Sequence, residues 1–189
     1  MFRTSVKILL CTALVTTGCA GASVSTIRTD LQVGALAKPD LIVIKPVDAS
    51  KTVFQGDYSD DPPSVETARK QLHDTFAQQS VQMLKTEGYN AQILTDGAQP
   101  DPNAAVVQLN VKIFEAGSNA ARMMVGMGAG ASYLLTDVTI QKAGKTIADF
   151  TIDANSGARG GFNALGSFLK VHIDDSVRIL VDYLKKKIR

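Results

Sequence analysis

Three runs in the middle of the chain alternate apolar and polar residues with a period of two. Val107, Leu109, Val111 and Ile113 alternate with Gln108, Asn110, Lys112 and Phe114. Leu134, Thr136, Val138 and Ile140 alternate with Leu135, Asp137, Thr139 and Gln141. After a tight turn at residues 142–145, Ala148, Phe150 and Ile152 alternate with Asp149, Thr151 and Asp153. Successive side chains of a strand point to opposite faces. The pattern therefore predicts an antiparallel meander with one face in a core and one toward water. Gln108, Asn110, Asp137, Thr139, Asp149 and Thr151 fall on the outer face, left for water or a partner.

Two further runs carry the period of a helix. Val65, Ala68, Leu72, Phe76, Ser80, Met83 and Leu84 recur at three and four residues, with Arg69, Lys70, Asp74, Gln78 and Lys85 opposite. Asp61 or Ser64 can cap this helix, Pro62 or Pro63 suits its first turn, and Gly88 ends it. Leu165, Leu169, Ile173, Val177, Leu180, Leu184 and Ile188 form the stripe of a second helix. Residues 40–47 are nearly all apolar and predict a strand buried on both faces; residues 89–94 predict another. Residues 48–63 read as a loop. Strand, helix and strand in that order make a βαβ unit with parallel strands. The predicted fold is α/β (α+β): a two-layer sandwich whose mixed sheet of about five strands carries both helices on one face.

The N-terminal segment belongs to no such element. Arg3 and Lys7 are its charges, residues 8–15 are a short apolar run, and small residues follow. That run is too short to span a bilayer core of about 30 Å and has the layout of a secretory signal peptide. Val15-Thr16-Thr17-Gly18-Cys19-Ala20 resembles the bacterial lipobox, with Gly18 and Cys19 at the two decisive places and Thr16 where leucine is usual. The resemblance implies removal of residues 1–18, a diacylglycerol on Cys19 and a further acyl chain, such as palmitate, on its amine. Ala20 after the cysteine resembles the sorting pattern for the outer membrane. The expected divisions are a signal peptide over 1–18, a lipidated N-terminus and tether over 19–36, and one periplasm-facing α/β domain over 37–189.

Charge and chemistry narrow the function. Without Arg3 and Lys7 the remaining 18 basic side chains balance 18 acidic ones, so no basic face for nucleic acid is expected. Lys185, Lys186, Lys187 and Arg189 suit the negative end of a helix dipole. Cys11 leaves with the signal peptide, so Cys19 has no partner for a disulfide or a zinc site. His73 and His172 are the only histidines, too few for a zinc site, and no metal or cofactor is expected. Asp57, Asp60 and Asp61 lack the spacing and bidentate glutamate of a calcium loop. No serine sits in G-x-S-x-G, and the chain is not expected to be an enzyme.

Residues 121–131 hold the densest local signal, with Arg122, Met123, Met124, Gly126, Met127, Gly128 and Gly130 in eleven positions. A dinucleotide loop needs a helix after it, and here a strand follows, so the stretch reads as a bend eased by glycine. The methionines either fill gaps in the core or form an adaptable contact surface. Arg122, Gly126, Gly128 and Gly130 fill the pattern R-x-x-x-G-x-G-x-G of a bacterial lipoprotein family catalogued as domain-of-unknown-function-4410, which the chain resembles from about Leu36 to its end. That family carries no activity to transfer. More loosely, the order of elements is similar to periplasmic lipoproteins of the curli-secretion, penicillin-binding-protein-activator and TolB N-terminal type. The expectation is a non-enzymatic outer-membrane lipoprotein that binds a protein or envelope partner. The alternatives are a subunit of an oligomeric envelope export or secretion complex, and a hydrolase or ligand carrier. Partner and oligomeric state are left open.

Overall fold

The computed structural model describes residues 21–56, 59–95, 97–117, 131–155 and 165–188. Among these, seven strands form one mixed sheet that carries two long helices. The strands are β1 (Gly21–Thr29), β2 (Ile42–Ile44), β3 (Val53–Gln55), β4 (Ala91–Ile93), β5 (Ala105–Glu115), β6 (Tyr133–Lys142) and β7 (Lys145–Asn155). The helices are α1 (Pro62–Thr86), between β3 and β4, and α2 (Leu165–Lys187), which ends the fold. The sheet order is β1-β7-β6-β5-β2-β4, with β3 paired to the far half of β5.

The meander stands as the alternation predicts. β5, β6 and β7 pair antiparallel, and Ala143 and Gly144, at φ of 50° and 73°, close the turn between β6 and β7. β2 lies parallel to both β4 and β5, as a βαβ crossover demands. Its three residues are fully buried.

Helix α1 starts at the Pro62–Pro63 pair after Asp61, whose carboxylate accepts the hydroxyl proton of Ser64 rather than a backbone N–H. At its other end Gly88 takes φ of 79°. Tyr89 N–H reaches the Leu84 carbonyl and Gly88 N–H the Lys85 carbonyl, the double bond of a Schellman cap. The helix buries Ala68, Leu72, Phe76, Ala77, Ser80, Val81 and Leu84, and the Ser80 hydroxyl is satisfied by the Phe76 carbonyl one turn back. Helix α2 buries Leu169, Ile173, Val177, Leu180 and Leu184, and Ile188 just past its end. Both helices run the same way, with Lys185 of α2 paired to Glu87 beyond α1. No described helix is long and apolar enough to cross a membrane.

The structure corrects three expectations. The tether expected over 19–36 is largely folded: Gly21–Thr29 is strand β1, antiparallel to β7, and Leu31 and Leu36 are fully buried. Two irregularities in its register, between Val24 and Thr26 and between Ile27 and Thr29, erase the period of two that would reveal it. The loop expected over 48–63 contains a short 3-10 helix, Ala49–Lys51, and strand β3. Phe114, which the alternation predicts on the polar face, is in the core. A register shift between Val111 and Ile113 breaks the step of β5 near its end, turns Phe114 inward and leaves Ile113 half-buried.

Candidate functional site

Cys19, Asp57, the whole motif of Arg122, Gly126, Gly128 and Gly130, its methionines, and most of the glycine-rich loop expected over 155–161 lie outside the described residues. The residues that bracket the motif are described. Gly117, at φ of 74°, donates its N–H to the Glu115 carboxylate, and Ser132 is fully buried.

A concave surface among the described residues is a groove at the carboxyl ends of β2 and β4. Parallel strands flank β2 on both sides, and such a crevice is where open α/β sheets place their ligands. One lobe, about 570 Å³, is lined by Asp48, Ser50, Glu66, Arg69, Lys70, His73 and Asp74 over a floor of Val47 and Ala49. A second, about 460 Å³, shares Val47, Asp48 and His73 and adds Lys45, Leu94 and Thr95. His73 faces both, from the side of α1 that also carries Glu66, Arg69, Lys70 and Asp74. Its position on the helix is legible in the sequence, but nothing in the sequence assigns it to a site.

Several charged groups in the groove are tied to neighbours. Asp74 lies 2.5 Å from Lys70 and 3.0 Å from His73 Nδ1, and these contacts, Lys70 first, hold its carboxyl below the usual range. Asp48 caps the 3-10 helix by accepting from Ser50 N–H at 3.0 Å, and the Ser50 bonds hold it low as well. Arg69 donates to the Ala49 carbonyl and stacks 4.9 Å over the Phe54 ring. The result is a solvated, near-neutral groove suited to polar contacts.

A second polar arrangement is buried. His172, near Asp174 and Asp175 on α2, points inward and is fully enclosed. Its Nε2 is 2.8 Å from the Ser132 hydroxyl, and its ring meets that of Phe114 edge-on. Burial pushes the imidazole down to about 4, against a smaller opposing pull from Asp175. Among the described residues, His172 Nδ1 and the Ser176 hydroxyl, one turn on, have no hydrogen-bond partner. The helical period carried the signal: position 172 falls three residues after Leu169 on the apolar stripe.

The outer face of the sheet is partly claimed. Arg28, from β1, lies 2.6 Å from Asp149 and 3.1 Å from Asp137 and donates to the Thr151 hydroxyl at 3.0 Å. The Asp149 hydrogen bond is the main cause of a guanidinium held above its ordinary value. Asp137, Asp149 and Thr151, expected to face water or a partner, are thus tied to β1.

Among solved structures the chain is similar to the PelC dodecamer from Paraburkholderia phytofirmans, at 14% identity and a TM-score of 0.49, over 89% of this chain and 99% of that one. A variant of that PelC gives 13% identity and a TM-score of 0.45, over 89% and 98%. The crystal structure of an uncharacterized protein gives 11% and 0.47, over 84% and 98%. No curated protein matches the chain. The family model described as Domain of unknown function (DUF4410) matches residues 42–161, from the start of β2 through the glycine motif to a point shortly before α2. The match takes in more than half of the sequence, and the chain belongs to the DUF4410 family.

Proposed function

We propose that the chain is a non-enzymatic lipoprotein of the outer membrane, anchored through Cys19, whose α/β domain faces the periplasm and binds a protein or other envelope partner. The observation that carries this reading is the Gly18-Cys19 lipobox placed directly ahead of the folded domain. Two features of the sites favour binding over catalysis. The groove is open to solvent and its cations and carboxylates balance, with Asp74 shared between Lys70 and His73 Nδ1. Among the described residues, the Ser132–His172 pair lacks the acceptor on Nδ1 that would orient a general base. Fractionation of cells that carry Cys19→Ala tests the anchor. The variant is expected to leave the membrane fraction and to take up no labelled palmitate; retention at the wild-type level refutes the anchor.

A second reading, a subunit of an oligomeric export complex, is favoured by the open sheet. Among the described residues β1 pairs only with β7 and β4 only with β2, so both edges are free to pair with further chains. A strictly monomeric mass for the detergent-solubilised protein by light scattering would remove this reading.

A further inference from the structure

We propose that the domain stands on the bilayer with one defined end of its sheet at headgroup level. That end carries Gly21, Gln55, Glu115, Tyr133 and Asn155. The proposal rests on lipidation of Cys19 as proposed above, and its partner is the lipid surface itself.

Two observations combine. The first is register. Gly21 pairs with Asn155, Asn155 with Tyr133, Tyr133 with Glu115, and Glu115 with Gln55, so these residues form one row across the end of the sheet. The second is chain length. One residue, Ala20, separates Cys19 from Gly21, so their Cα atoms are two steps apart, a reach of at most about 7 Å. Acyl chains on Cys19 hold that residue at the headgroups, so the row begins within one residue pair of the bilayer. The turn at Ala143–Gly144 is at the opposite end of β6 and β7, about 30 Å away along the strands. A flexible tether of some seventeen residues would have a reach of about 20–25 Å and would leave either end free to face the membrane.

β1 cannot serve as such a tether while folded. Arg28 is held by Asp137 and Asp149, Leu31 N–H donates to the Tyr183 hydroxyl at 2.8 Å, and Lys187 pairs with Asp30. Charge does not supply the orientation. Asp60 and Asp61, just before α1, and Glu115 are acidic, so covalent distance sets the contact and added salt should not change it. Gly117 and Ala131, which bracket the family motif, flank Glu115 and Tyr133 at this same end.

The test uses the full lipidated protein in vesicles of phosphatidylethanolamine and phosphatidylglycerol that contain a headgroup-labelled quencher. Gln55 and Lys145 are both exposed and lie at opposite ends. Gln55→Cys and Lys145→Cys, each carrying a fluorophore, report the distance of each end from the headgroups. The Gln55 site is expected to be quenched several-fold more than the Lys145 site, at low and high salt alike. A flexible Gly/Ser linker of about 20 residues between Ala20 and Gly21 should keep the protein on floating vesicles and abolish the difference. Equal quenching at both ends of a protein that floats overturns the orientation while the anchor stands. Because β7 adjoins β1, a domain lying on its β1 edge would quench Lys145 at least as strongly as Gln55, which also overturns it. A difference that survives the linker overturns the argument from chain length. Failure of the wild-type protein to float removes the anchor and the proposal with it.

Discussion

Acidification should destabilise this domain through one side chain before its carboxylates take part. His172 is fully buried and its imidazole is depressed from 6.5 to about 4, chiefly by burial. In the unfolded chain the ring binds a proton below about 6.5; in the folded chain it stays neutral until about 4. Between these values the unfolded state holds more protons, so stability falls as pH falls. At 1.36 kcal/mol per unit the full loss is about 3 kcal/mol, a large part of the stability of a domain this size. The paired carboxylates act elsewhere. Asp30, Asp40, Asp48 and Asp74 are all lowered from 3.8, so their stabilisation is present above that value and fades only below it. Asp153 is raised from 3.8 by burial and works in the opposite sense, but it does so equally in wild type and variant. Urea midpoints measured from about pH 7.5 to about pH 4.5 on wild type and His172→Gln separate the terms. The glutamine amide can still reach the Ser132 hydroxyl but does not titrate. Wild type should lose about 2–3 kcal/mol more than the variant over that range. Parallel pH curves for the two proteins would refute a buried, neutral His172.

Two other positions, Tyr183 and Gly56, test single contacts that hold the fold. Tyr183→Phe should cost about 1–3 kcal/mol, because the hydroxyl is the acceptor for the buried Leu31 N–H and donates to Asp30; an unchanged thermal melt would mean that amide is satisfied otherwise. The same hydroxyl is pushed up from 10.0 to about 12, so wild type should lose stability as pH rises from 10 toward 12 and the Phe variant should lack that loss in alkaline melts. Gly56→Ala should destabilise by about 1–3 kcal/mol, since φ is 83° and a Cβ would lie 2.8 Å from the Gly117 carbonyl oxygen; a wild-type urea midpoint would show the β3 end is free to move.

Much of this was legible in the sequence, and the failures have specific causes. The meander and both helices follow from periods of two and 3.6, because each has one face in a single core, and β2 follows from an apolar run buried on both faces. The Gly88 stop is legible for a stronger reason: a left-handed residue is needed there, and glycine adopts that geometry most readily. Phe114 was misplaced because one register shift reverses every later assignment in a strand. β3 was missed because three residues are too few to show a period; its place comes from pairing with β5 and from the Phe54–Phe114 ring contact at 6.2 Å. The groove was illegible because its walls come from α1 and from the ends of β2 and β4, which only the fold brings together.

Strand β1 is the most consequential of these failures, because it changes what the anchor can do. Its residues are small and polar, and composition alone assigns such a stretch to a linker. What makes it a strand is non-local: β7 offers it an open edge, Ala22 and Val24 pack against the core, and the register shift near Ile27 frees Arg28 to reach Asp137, Asp149 and Thr151. A linker would make lipidation a matter of address only. A strand that begins two residues after Cys19 would turn the proposed anchor into a constraint on orientation. With that anchor in place, the polar outer face, the groove and the sheet edges of the described residues would stand at fixed heights above the membrane. A partner would meet them in one geometry, and lengthening the link would impair partner binding even with the anchor and the fold intact.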